Sequence, residues 1–113
     1  MKVRVDNRVY EVMEDFYDKS MDAHPTLDYE TVIRKTLRLE QAMCDFAEQA
    51  EIFHRTPYRK DWQEKGYREF VHEDFHFAYK VYQTSDGEKV VQFHDACHSL
   101  LNYNPEDAID REA

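Results

Sequence analysis

Cysteine is scarce in this chain of 113 residues: Cys44 and Cys97 stand far apart, in no paired spacing. Two lone cysteines supply no thiolate metal cluster, and they read as reduced thiols of a cytoplasmic protein rather than a disulfide. Long apolar runs are missing too. Nothing approaches the ~20 residues needed to span a bilayer, and the charged N-terminus lacks a signal-peptide core, so neither a membrane nor secretion is expected. Positive charge is in short supply, with 15 Lys and Arg against 24 Asp and Glu and a net charge of -9. That balance opposes non-specific binding to nucleic acid, whose affinity comes largely from neutralised phosphates, while leaving room for a local basic patch. Internal repeats and low-complexity segments are absent as well.

The residues present suit one folded domain, with hydrophobic residues at 42% and aromatics at 14%. Val3 and Val5 alternate with Lys2 and Arg4, a short strand that must find a sheet edge. Asp6 or Asn7 can cap a helix starting directly after the strand. Val9, Val12, Met13, Phe16, Tyr17 and Met21 then form the stripe of an amphipathic helix whose other face, with Glu11, Glu14, Asp15, Asp18 and Asp22, is acidic. Pro25 ends it. A longer helix is expected over roughly 28–53, with Val32, Ile33, Leu37, Met43, Phe46, Ala47, Ala50 and Phe53 facing inward, and so short a link implies an antiparallel hairpin.

Three consecutive strands close the domain. Phe75, Phe77, Tyr79 and Val81 alternate with His76, Ala78, Lys80 and Tyr82, with a partner strand upstream at 67–72 and a return strand at 89–94 beyond the Asp86-Gly87 turn. The connector carries cations and aromatics, and over 52–72 there are five basic residues against three acidic. Over 6–30 the balance reverses, eight acidic against two basic, so the molecule is electrically lopsided. Residues 105–113 read as an acidic tail and 1–104 as the domain.

A short strand, a helical hairpin, a basic connector and a three-strand meander, in that order, resemble the RelE/ParE toxin superfamily of bacterial toxin-antitoxin and plasmid stabilisation modules. The segments that carry the likeness are Gly66-Tyr67-Arg68-Glu69-Phe70 and Asp74 to Val81, with the hairpin Asp86-Gly87 and the strand 89–94 behind them. The resemblance implies an α+β fold, an N-terminal strand and helical hairpin packed on a three- to four-stranded antiparallel sheet. It also implies a toxin that cleaves messenger RNA on the ribosome, or one that acts by contact, inhibiting DNA gyrase or only binding its antitoxin. Each kind is silenced by a cognate antitoxin, and a homodimer is an open possibility. The resemblance implies no cofactor and no metal. His76 and His98 stand near the family's two basic positions and Tyr103 at its late tyrosine, but both expected arginines are absent.

Cleavage by an internal 2′-hydroxyl needs a base, an acid and positive charge on the phosphoryl oxygens. Histidine suits the first two roles. His98, Tyr103 and His76 are therefore the candidate catalytic residues, and Arg55, Arg59, Lys60, Lys65, Arg68 and Lys80 the candidate RNA-binding ones. The competing readings are an ordinary surface histidine on a strand, and a connector whose Trp62 and Tyr58 plug a seam while its charges are solvated. His94 and His98 are four apart, a spacing that makes a metal pair only on a helix, and no third ligand accompanies them.

Overall fold

The computed structural model describes residues 1–24 and 26–99; Tyr103 and the tail expected at 105–113 lie outside the described residues. The elements are β1 (Lys2–Val5), α1 (Asn7–Ala23), α2 (Tyr29–Phe46), a 3-10 turn (Ala47–Gln49), α3 (Lys60–Glu64), β2 (Arg68–His72), β3 (Phe75–Gln83) and β4 (Lys89–His98). This is the expected α+β order. The four strands make one sheet in the order β1-β4-β3-β2. β2, β3 and β4 form the antiparallel meander, but β1 joins β4 in parallel, so the sheet is mixed. β1 and β4 can run the same way because α1 and α2 intervene, and a parallel pair needs a long crossover.

The stripe on α1 is buried as its spacing demands, with Val9, Val12, Met13 and Tyr17 against the sheet. Asp6 does not cap the helix through its side chain. Its carboxylate instead accepts from Gln92 Nε2 at 2.7 Å and meets His94 Nδ1 at 2.9 Å. Asp28 does cap α2, accepting from the Thr31 amide at 2.7 Å, and hydrogen bonding from the Thr31 side chain, then from that amide, holds its carboxyl below the usual range.

α2 differs from expectation in length and facing. It stops at Phe46, seven residues early, because four polar contacts fix the chain beyond it. The Arg68 guanidinium donates to Ala50 O and Glu51 O, and the Tyr79 hydroxyl reaches Ala50 O and Phe53 O. These bonds satisfy carbonyls of the chain just beyond the 3-10 turn and tie it to the sheet. Leu39, Met43 and Phe46 supply its buried face, whereas Ile33 and Leu37, expected inside, are exposed along with Tyr29. Only the C-terminal half of α2 finds sheet beneath it, where Phe46 stacks on Phe70.

The principal core lies on this face, around Phe75, Phe77, Tyr79, Val91 and Phe93. The opposite face is half covered by the connector, whose Trp62 packs on Ala78 and Cys97.

The β2–β3 turn is a two-residue loop in which Glu73 and Asp74 both have positive φ, 49° and 65°. Aspartate tolerates that region, but glutamate is strained in it. Glu73→Asn is expected to raise stability by about 0.5–1 kcal/mol, read as a higher urea midpoint.

Candidate functional site

The site follows from one irregularity in the sheet. Between β3 and β4 the register passes from Ala78↔Asp95 to Tyr79↔Phe93, so β4 carries one extra residue, a β-bulge at His94 and Asp95. Before it the odd residues Val91 and Phe93 face the core; after it the even residues Ala96 and His98 do. A single extra residue reverses every side chain beyond it, because strand side chains alternate with a period of two.

His98 is consequently turned to the helices. It is 6% exposed, stacks on Phe16 with centroids 3.9 Å apart, and meets the edge of Phe75. His76 is turned to the other face, also buried, between Glu69 and Ser99. The two histidines expected to act as base and acid are thus separated by the sheet itself. Burial pushes the His98 imidazole below its usual pKa. The unfolded chain then binds the proton more readily than the folded one, so the stability His98 contributes is complete above the ordinary histidine pKa of ~6.5 and declines as pH falls through the folded value. His98→Phe is expected to flatten the acid limb of the stability profile, measured by urea unfolding between about pH 5 and 8.

The cations expected to hold RNA are also dispersed. Arg68 donates to Ala50 O and Glu51 O, beyond the 3-10 turn on the helical side. Arg59 is buried, paired to Asp61 through bonds of 3.0 and 2.6 Å and laid over the Trp62 ring. Burial acts to lower the Arg59 pKa, but its bonds and charge pairing with Asp61 outweigh this and raise it. Arg55 binds Glu69 at 2.8 Å. Lys60 is exposed on α3. Only Lys65 and Lys80 approach one locality, beside Tyr67: Lys80 Nζ lies 5.4 Å from that ring, and Lys65 opposes the rise that burial imposes on the Tyr67 hydroxyl.

That locality is the half of the second face that α3 leaves uncovered. Alternation along the strands puts Lys80 and Tyr82 of β3, Gln92 and His94 of β4, and Lys2 and Arg4 of β1 on it. Register makes two cross-strand rows, Lys80↔Gln92↔Arg4 and Tyr82↔Val90↔Lys2. At its centre the Tyr82 hydroxyl meets His94 Nε2 at 2.8 Å, and His94 Nδ1 meets Asp6 Oδ2 at 2.9 Å. Tyr67 stacks on the His94 ring, 5.1 Å between centroids and 12° from parallel. A carboxylate only accepts, so Nδ1 carries a proton, and in the tautomer with that proton alone Nε2 accepts from Tyr82. The result is a carboxylate-imidazole-phenol relay ending at a hydroxyl whose residue is 41% exposed.

Asp6 and Tyr82 did not figure among the sequence candidates, and His94 did so only as half of a metal pair that lacked a third ligand. Lys80 and Tyr82 share a side in the β3 alternation, which was legible, but their alignment with His94 and Asp6 depends on sheet register and on the parallel docking of β1. Cys97 is packed under Trp62, and burial pushes its thiol up to about 12, so it stays protonated. No family model, curated protein or solved structure matches the chain. No described helix is long and apolar enough to cross a membrane.

Proposed function

We propose that this chain is the toxin component of a RelE/ParE-like toxin-antitoxin pair, cutting messenger RNA on the ribosome at the open sheet face. The observation that carries this reading is the Asp6-His94-Tyr82 relay set among Lys80, Arg4 and Lys2. Aromatics beside cations suit a single strand, the rings stacking bases and the charges tracking phosphates. Tyr67 and Tyr82 supply the rings.

In this mechanism the Tyr82 oxygen takes the proton of a 2′-hydroxyl as its own passes to His94 Nε2, and Asp6 stabilises the imidazolium. The 2′-oxygen forms a bond to phosphorus while the bond to the 5′-oxygen breaks, and that oxygen leaves with a proton from Lys80. Arg4 and Lys2 offset charge on the phosphoryl oxygens. The imidazolium then loses its proton to solvent, and Lys80 regains one from solvent. The products are a 2′,3′-cyclic phosphate and a 5′-hydroxyl.

The antitoxin has a natural seat on the far side. A groove of about 470 Å³ between α1 and α2 is lined by Tyr17, Met21, Tyr29, Val32, Ile33 and Leu37 and rimmed by Glu14, Asp18 and Glu40. An amphipathic segment with apolar residues inward and Lys or Arg at its edges complements that surface.

The test is to add the purified chain to translating ribosomes and map the ends of the message. Cuts inside reading frames, carrying cyclic phosphate and absent from naked RNA, are expected. Growth arrest on induction without any cut message would reject cleavage in favour of action by contact, on gyrase or another target.

A further inference from the structure

A second relay lies under the covered half of the same sheet face. Glu69 Oε1 meets His76 Nδ1 at 3.0 Å, and His76 Nε2 meets the Ser99 hydroxyl at 2.7 Å. Glu69 is fully buried and its other oxygen accepts from Arg55 Nε at 2.8 Å. His76 is 6% exposed, while Ser99 is exposed. The order is therefore a buried carboxylate, a shielded imidazole and an accessible hydroxyl.

Proton positions follow from the acceptors. In the tautomer that places the proton on Nδ1, facing the Glu69 carboxylate, Nε2 is left to accept from Ser99. The Asp74 carbonyl, the other acceptor near the Ser99 hydroxyl at 3.1 Å, is already served by the Ser99 amide at 2.9 Å. The hydroxyl can thus give its proton to His76 without leaving the Asp74 carbonyl unpartnered. A nucleophile bonded to a base that a third group orients is the constellation of covalent acyl transfer.

We propose that Ser99 is a nucleophile toward carboxylic esters, with His76 as its base and Glu69 as the positioning residue. The Ser99 oxygen bonds to the carbonyl carbon as its proton moves to His76 Nε2. The bond from that carbon to the leaving oxygen breaks, and His76 returns the proton to it. Water then cleaves the acyl-serine by the same transfers in reverse. This activity is independent of RNA cleavage and uses none of Asp6, Tyr82 or His94.

The experiment treats the full chain with a fluorophosphonate probe and with p-nitrophenyl acetate, and locates the adduct by peptide mass spectrometry. Labelling at Ser99 is expected, lost in Ser99→Ala and slowed about 10²–10⁴-fold in His76→Asn. Glu69→Gln can donate to Nδ1 and force the proton onto Nε2, so a fall in kcat of up to about 10⁴ with KM unchanged is expected. Fluorescence of the single tryptophan, Trp62, checks that each variant is folded. Wild-type protein that gives no adduct at Ser99, or labels as fast in folded His76→Asn, would overturn the proposal and leave Ser99 as a tie between β4 and the β2–β3 turn.

Discussion

Trp62→Ala should remove about 3–5 kcal/mol of stability, the range for deleting a fully buried large aromatic ring. Trp62 is 0% exposed and is the largest side chain of the smaller core, clasped by Ala78, Cys97 and Tyr67. Its loss leaves a cavity under a connector that has little else apolar to hold it. It also removes the indole donor to Asp95 Oδ2, at 3.1 Å, and the ring over which Arg59 lies. Against the roughly 5–15 kcal/mol typical of whole domains this is a large fraction, and the urea midpoint should fall sharply with the slope unchanged. Trp62→Phe separates the two contributions, since it keeps most of the ring and loses the N–H; about 1–2 kcal/mol is expected for it. A drop under ~1 kcal/mol for the alanine variant would mean that the connector is not packed on the sheet as described.

Under the proposed cleavage mechanism, Tyr82→Phe should lower message cleavage by about 10²–10⁴-fold while leaving the fold intact, because it deletes the oxygen proposed to accept the proton and nothing else. The residue is 41% exposed, and its hydroxyl bonds only to His94 among the described residues. His94→Asn should cost a similar factor. Groups that act as one relay are strongly non-additive, so the double variant should be scarcely slower than either single one. Single-turnover cleavage with excess enzyme isolates the chemical step from ribosome binding. Wild-type rates in Tyr82→Phe would remove the relay from the mechanism, and multiplying losses in the double variant would show that the two groups work separately.

Local physics was legible in the residues themselves. The stripe from Val9 to Met21, the break at Pro25, the alternation from Phe75 to Tyr82 and the Asp86-Gly87 turn each rest on interactions within a few residues. The elements they imply form in the expected order. Misreadings begin where a second element decides the outcome. Ile33 and Leu37 have the right spacing for a buried stripe, yet the sheet does not extend beneath that end of α2. Arg59 reads as a solvated cation, but Asp61 two residues on and Trp62 beneath it make a buried pair worthwhile.

The histidines mark the limit most sharply. Strict alternation would put His94 and His98 on one face, and nothing in the residues 89–98 announces an extra one at the bulge. That bulge sends His98 to the core, Ser99 to His76 and Asp95 to Trp62. Composition and periodicity by themselves determined the α+β class, the two helices and the meander, because those depend on short-range preference and burial of one face. Which side chains meet across the sheet was decided only by tertiary structure, through strand register and the parallel docking of β1, since a shift of one residue exchanges the two faces while leaving the pattern of each strand almost unchanged.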